Sequence, residues 1–358
     1  MKQIEELSYV DTKPDTSGEI KRKFSDFKVD EYLSFDPTGC GDHLFIKIKK
    51  TGLTTVDVAK KISEVTGSKL STIGYSGMKD KYGECTQWFS APLSESVSRS
   101  LGSIENANLN VVKSLRNQRK LRIGSHRKNQ FDITLRNCFG GRDKFETRLK
   151  LIQERGLPNY YGTQRFGKNM QNITAVSKLM AAETEAPSCA NKRNFNKRSS
   201  IERGILISAA RAYLFNQVLS SRLKMKNWTT YLPGDVLNLN GTDSYFLPGK
   251  DDQEDIVQQR LNLFDIHISG PLAGASCSKD KYITSAKAAD IETKSLRSYE
   301  TLLDGLRKLN ISASRRPLRT KPENLKWSWI DETTLNIHFS LRKGCYATSL
   351  LREICLFD

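Results

Sequence analysis

The chain lacks the signatures of a metal protein, a secreted protein or a nucleotide-cofactor enzyme. Its seven cysteines (Cys40, Cys85, Cys138, Cys189, Cys277, Cys345 and Cys355) are odd in number and widely scattered, and no two form a C-x-x-C pair. Neither a disulfide framework nor a zinc knuckle is signalled, and reduced, mostly buried thiols are expected. Histidine is scarce. The four present (His43, His126, His267, His338) make no H-x-x-x-H pattern and no H-x-E pairing with cysteines, so zinc-dependent deamination of a base has no support. No G-x-x-x-x-G-K-[ST] occurs and no G-x-G-x-x-G follows a strand, which removes the support for ATP hydrolysis and for dinucleotide or Rossmann-type methyl-donor binding. No run approaches the ~18 apolar residues that a membrane-spanning helix needs. The first residues, MKQIEELSYVDTKPDT, contain no signal-peptide core, and a soluble cytoplasmic protein is expected. What remains is a reaction that needs no cofactor and no metal.

Acid is also in deficit. Asp plus Glu number 40 against 57 Lys plus Arg, for a formal charge of +17 and a pI near 9.5. Such a balance speaks of partners, with nucleic acid the leading one and an anionic membrane surface the lesser. At 358 residues the chain is long enough for two domains, or for one domain with a large insertion.

The patterning is α+β. Residues 1–17 read as a loose leader. Leu44 to Lys49 has strand character, and Thr54 then opens a helix, with Asp57 three residues on as a capping box and Val58, Ile62 and Val65 at helical spacing up to a stop at Gly67. Phe131 to Leu135 alternates as a strand, Asn137 to Gly141 reads as a turn, and Asp143 to Arg155 as a helix. Residues 182–196 lead into a basic segment reaching Ser200, read as a loop. A helix from about Ile201 to Leu223 follows, carrying Ile207, Ala210, Leu214 and Val218 on one face. Leu335, Ile337, Phe339 and Leu341 alternate as a strand, and Tyr346 to Ile354 reads as helical. The division expected is a catalytic body of residues 1–157 plus 316–358, with an insertion over 158–315.

Four segments carry chemistry. In Tyr75 to Gln87, Asp80 stands between Lys79 and Lys81 on a turn opened by Gly77, just before the strand Thr86–Phe89. Its cationic neighbours favour the ionised form, which can serve as nucleophile, base or mere ion-pair partner. The run 113–128 holds Lys113, Arg116, Arg119, Lys120, Arg122, Arg127 and Lys128 with no acid, and Asn129-Gln130-Phe131 follows at once. Such a strip suits nucleic acid: cations for phosphates, an amide for a base edge, a ring for stacking. The basic loop at 192–198 is a further candidate for backbone contact. The third segment is Asn159 to Gly167, read either as a tight corner or as an active-site loop. The fourth, Lys21 to Glu31, contains Phe27.

Together these segments resemble the TruD family of pseudouridine synthases, in order and nearly end to end. The motifs are Lys-x-x-x-x-Asp-Phe-x-Val-x-Glu (Lys21 to Glu31), Gly-x-Lys-Asp-x-x-x-x-x-Thr-Gln (Gly77 to Gln87), Asn-x-Phe (Asn129 to Phe131), Asn-Tyr-Tyr-Gly-x-Gln-Arg-Phe-Gly (Asn159 to Gly167), and Gly-x-x-Ala-Thr-Ser-x-x-Arg-Glu (Gly344 to Glu353). The resemblance implies a pseudouridine synthase α+β fold with a mixed antiparallel sheet, interrupted by a TruD-specific insertion. It implies the isomerisation of uridine, at position 13 of tRNA, by base flipping and without a cofactor. Asp80 falls on the catalytic position, and Phe27, Asn129 and Phe131 on positions lining the uridine pocket. Tyr346 stands where many relatives carry Phe, and Lys21 is implied as the basic partner of Asp80. The run Gly167 to Met170 departs from the family, which often has a further glycine there. The expected partner is tRNA, with no membrane, no metal and no obligate protein partner. The alternatives are a silent RNA-binding protein on the same scaffold and a methyl-donor-dependent RNA enzyme.

Overall fold

In the computed structural model, residues 7–93, 101–185, 199–249, 252–275 and 283–357 are described. They divide into two compact units. One comprises Pro14–Gln153, Pro322–Ala347 and Ile354–Asp358, and the other Met1–Lys13, Glu154–Lys321 and Thr348–Glu353.

The first unit is built on a mixed sheet. Among the described residues it has nine strands: β1 (Ser17–Glu19), β2 (Phe27–Leu33), β3 (His43–Thr51), β4 (Gly74–Tyr75), β5 (Glu84–Pro92), β6 (Leu109–Asn117), β7 (His126–Phe139), β8 (Glu323–Trp329) and β9 (Leu335–Arg342). The order is β8-β9-β7-β2-β5-β3-β6, with β1 on β7 and β4 on β5. Among the described strands, the β2–β5 ladder is the parallel one and the other strand ladders are antiparallel, and the fold is α+β.

Helix α1 (Thr55–Thr66) starts where the chain supplies its own caps. Thr54 Oγ1 accepts from Asp57 N at 3.1 Å, and Asp57 Oδ2 accepts from Thr54 N at 2.9 Å. Gly67 ends it in the left-handed conformation (φ 66°). Its buried face, Val58, Ala59 and Ile62, packs on Ile46, Ile48 and Phe89 of the sheet. Removing such side chains from water stabilises by about 1.5–3 kcal/mol each. Helix α2 (Arg142–Arg155) buries Phe145, Leu149 and Ile152, and Phe145 meets Trp329 edge-on at 5.7 Å. The expected turn at Asn137 to Gly141 is shorter than read: β7 runs on to Phe139, leaving Gly140 and Gly141 to reverse the chain.

The second unit centres on the helix Ser200–Lys224, capped by a reciprocal Ser199–Glu202 box. One side of it (Leu206, Ala210, Leu214, Val218) packs with Val176 and Met180 of helix Gln171–Glu185 and Leu302 and Leu306 of helix Glu300–Lys308. Another (Phe215, Leu219, Leu223) packs with Leu237, Ile266 and Ile268 of a four-stranded sheet. Residues 182–185, expected in a loop, complete the helix Gln171–Glu185; the rest of that basic segment, 186–198, lies outside the described residues.

Residues 7–13 are not a loose leader. Ser8 O accepts from Tyr160 Oη at 3.0 Å and from Arg352 at 3.1 Å, while Val10 N donates to Glu353 at 2.9 Å. These bonds tie residues 7–13 and Thr348–Glu353 to the second unit, where the sequence had put both stretches in the catalytic body. Thr16 and Gly18 are held in the first unit instead, by the Ile354 and Leu356 carbonyls and backbone.

Candidate active site

Strand alternation selects the side chains on one face of the sheet. On β2 the buried positions are Phe27, Val29 and Glu31; the register sets Ile133, Phe131 and Asn129 of β7 opposite them, with Ile337, Phe339 and Leu341 of β9 beyond. On the other side of β2, Cys85 of β5 lies beside Val29, and Lys50 of β3 pairs with Cys85. The result is an aromatic patch with a polar border. Phe131 stacks on Phe339 (centroids 5.2 Å apart, 22° between planes) and meets Phe27 edge-on at 6.2 Å. Asn129 is buried, and among the described residues its Oδ1 has no hydrogen-bond partner. A buried acceptor left unpaired costs about 1–3 kcal/mol, and this one is open to a donor from outside the protein.

Asp80 stands on the loop 76–83 between β4 and β5, and that loop is moored along its length. Gly124 N donates to Ser76 O at 2.7 Å. The Gln87 amide donates to Gly77 O, and Thr55 Oγ1 accepts from Lys79 N at 2.9 Å while donating to Gln87 Oε1 at 3.0 Å. Lys50 is wholly buried; its Nζ donates to Asp80 O and to Leu53 O, both at 2.7 Å. Burial pulls the Lys50 ammonium below its usual 10.5, against the opposing pull of Cys85 and Asp80. Burial likewise pushes the Cys85 thiol up, opposed by Lys50. At the loop's exit a Cβ on Gly83 would stand 2.5 Å from Phe27 O, so only glycine permits this approach.

The charge pairing differs from the pattern expected along the chain. Lys79 turns inward and pairs with Glu31, both sealed from solvent, and Lys81 is exposed. The cation at Asp80 is Lys21, 59 residues earlier, with Nζ 3.3 Å from Oδ2. That same Nζ lies 4.3 Å from the centre of the Phe27 ring. Lys21 holds a left-handed backbone (φ 57°), a conformation costing a non-glycine residue about 1–3 kcal/mol. His126 lies against the loop entrance; its imidazole is held below 6.5 by burial and by Lys79, with Glu31 opposing.

The structure brings Asp80, Lys21, Phe27, Phe131 and Asn129 onto one patch. Tyr346 is half-buried in the segment just past β9. The basic strip is not one surface element. Lys113 and Arg116 lie on the edge strand β6, Arg119, Lys120 and Arg122 on the loop 118–125, and Arg127 and Lys128 on β7. Three of these cations have protein partners: Arg116 donates to Gly41 O, Lys120 to Ser71 O, and Lys128 pairs with Glu323 at 2.7 Å. Lys113, Arg119, Arg122 and Arg127 are exposed. The stretch 192–198 lies outside the described residues. Among the described residues, no three His, Cys, Asp or Glu side chains gather as a metal-holding group, and no helix is long and apolar enough to cross a membrane.

Residues 3–187 and 194–354 match the family model for tRNA pseudouridine synthase D (TruD). The chain belongs to the TruD family. It is 37% identical over 345 residues to the tRNA pseudouridine synthase D of Xanthomonas oryzae, covering 94% of this chain and 91% of that protein. The Hydrogenovibrio crunogenus enzyme of the same name is 32% identical over 342 residues (96% and 94% covered), and that of Proteus mirabilis 34% over 356 (99% and 97%). The TruD fold itself recurs in the crystal structure of a Methanosarcina mazei protein described as a TruD, with a TM-score of 0.73, 18% identity, and 97% and 95% of the two chains covered.

Lys50 and Thr55 were not singled out in the sequence, and Glu31, Lys79, Gln87 and Phe339 were quoted in motifs or a strand without the contacts they make at this patch. A signal was there for two of them. Lys50 continues the buried phase of Ile46 and Ile48, and Glu31 that of Phe27 and Val29. A charged residue in phase with a buried face asks for an interior partner.

Proposed function

We propose that the chain isomerises uridine to pseudouridine at position 13 of tRNA, with Asp80 as the reactive group in the unit that carries the nine-stranded sheet. The supporting observation is the convergence of the half-exposed Asp80 carboxylate, its Lys21 counter-ion, the Phe27 and Phe131 rings and the unpartnered Asn129 oxygen.

Each piece answers a need of the reaction. The N1–C1′ bond breaks, the uracil turns, a C5–C1′ bond forms, C5 gives up its proton and N1 regains one, so no atom is added or lost. The uridine must leave its stack to be reached. Uracil presents an N3–H donor, which the Asn129 oxygen can accept, and faces that Phe27, Phe131 and Tyr346 can enclose. Asp80 can attack C1′ or take the proton from C2′. A primary isotope effect with uridine deuterated at C2′ marks the second route; its absence marks the first. Lys113, Arg119, Arg122 and Arg127 are offered to phosphates, so affinity falls with salt.

The test is pseudouridine mapping of tRNA from cells lacking the protein, together with turnover of a transcript by Asp80→Asn. The reading expects loss at position 13 alone and an inert variant that still binds tRNA. Retained turnover in Asp80→Asn defeats the role of Asp80; loss at another position defeats the site assignment.

A further inference from the structure

Two aromatic rings at the border of the site have no part in the pocket just described. Phe24 and Tyr82 are 45% and 63% exposed, yet they lie nearly parallel, 15° between planes and 6.4 Å between centroids. Their positions in the chain bind them to the chemistry. Tyr82 is two residues past Asp80 on the same moored loop, and Phe24 is three past Lys21 at the start of the short turn of helix Phe24–Asp26 that leads into β2. Phe24 is also seated. Its ring lies against Gly52, where a Cβ would stand 3.2 Å from Cζ, so the absent side chain makes its berth.

Exposing two large rings together forgoes burial worth about 1.5–3 kcal/mol for a side chain such as Phe. Isolated surface apolars need no explanation, but an ordered pair among cations has a known use. Near these rings in the chain, Lys23 and Lys81 are exposed, while Lys21 and Arg22 are paired with Asp80 and Glu19. The acids nearby are engaged: Asp26 is buried against Arg136, Asp80 pairs with Lys21, and Glu19 with Arg22. Rings set among cations suit a partner that offers flat π-faces on a phosphate backbone.

Building on the reading of Asp80 as the reactive group, we propose that Phe24 and Tyr82 form a stacking platform for an unpaired RNA base beside the flipped uridine. The platform holds the strand that the departing uridine leaves open. It is sequence-tolerant, because every base has a face to stack, and it acts on capture of the RNA, not on the bond-breaking step.

The experiment uses the full chain and a tRNA transcript, comparing Phe24→Ala and Tyr82→Ala with the ring-keeping Phe24→Tyr and Tyr82→Phe. Base–aromatic stacking predicts a rise in Kd and KM of roughly 5- to 150-fold in the alanine variants, with kcat and the slope of log Kd against log salt unchanged and the ring-keeping variants near wild type. Transcripts made abasic in turn at the nucleotides flanking the target should bind more weakly to wild type at one position and show no further loss in Tyr82→Ala. Wild-type affinity in both alanine variants overturns the platform, as does equal loss in the ring-keeping variants or an abasic series with no effect. If wild-type protein makes no pseudouridine, the functional reading fails instead; thermal melting of each variant separates a folding defect from a binding one.

Discussion

Lys79 and Glu31 form an ion pair from which water is shut out, with 6% and 0% of their side-chain surfaces exposed. Lys21 and Asp80, a few residues away along the chain, keep 25% and 34%. In the second unit, Arg222 and Asp235 repeat the sealed arrangement at 2.9 Å, with 3% of each exposed. A sealed pair can only hold the fold, because nothing reaches its carboxylate. An open pair contributes little to stability, about 0–1 kcal/mol at a solvated surface, and leaves its carboxylate available. The difference separates an acid that can only build from an acid left available to react, although all three carboxylates look alike in a list of charges.

Changes at these pairs break or sharpen the contrast. Asp80→Asn should abolish detectable turnover, a loss of at least about 10²–10⁴-fold, with the unfolding midpoint nearly unmoved. Lys79→Met strands Glu31 in the interior and should cost about 3–5 kcal/mol by urea unfolding, and Asp235→Asn should cost a similar amount by stranding Arg222. Adding Glu31→Gln to Lys79→Met should recover part of that loss; no recovery means the pair is not coupled. Lys21→Met should move stability by about 1 kcal/mol or less while turnover falls, and a stability loss matching that of Lys79→Met would erase the distinction. The smallest effect concerns pH. His126 is held below 6.5 in the folded state by burial and Lys79. The unfolded chain therefore binds the proton more readily, so stability is lost as pH falls below 6.5 and regained as it rises. His126→Asn should flatten that part of a pH series of unfolding midpoints.

What was legible in the sequence follows from how local each signal is. The α1 cap was readable because Thr54, Asp57 and Gly67 act within one helix. The helix Ser200–Lys224 was readable from its apolar spacing. By contrast, β7 runs for 14 residues, from His126 to Phe139, of which alternation showed only Phe131 to Leu135 as strand, the family motif adding Asn129 and Gln130. Its first turnless stretch, His-Arg-Lys-Asn-Gln, looks like a solvated charge run until β2 and β9 flank it and bury Asn129. The motifs named the residues of the site and the Lys21–Asp80 pair, but not the inward pairing of Lys79 with Glu31. Its chain neighbours Lys79 and Lys81 do not pair with Asp80; the cation is Lys21, the partner that the resemblance, not the local charge pattern, implied.

The mooring of the loop has a mechanical corollary. With its own carbonyl clamped by a submerged ammonium and its neighbours pinned to Thr55 and Gln87, the Asp80 backbone has little room to advance or retreat. If Asp80 is the reactive group, as proposed, a loop held this way would leave the approach to the nucleic acid.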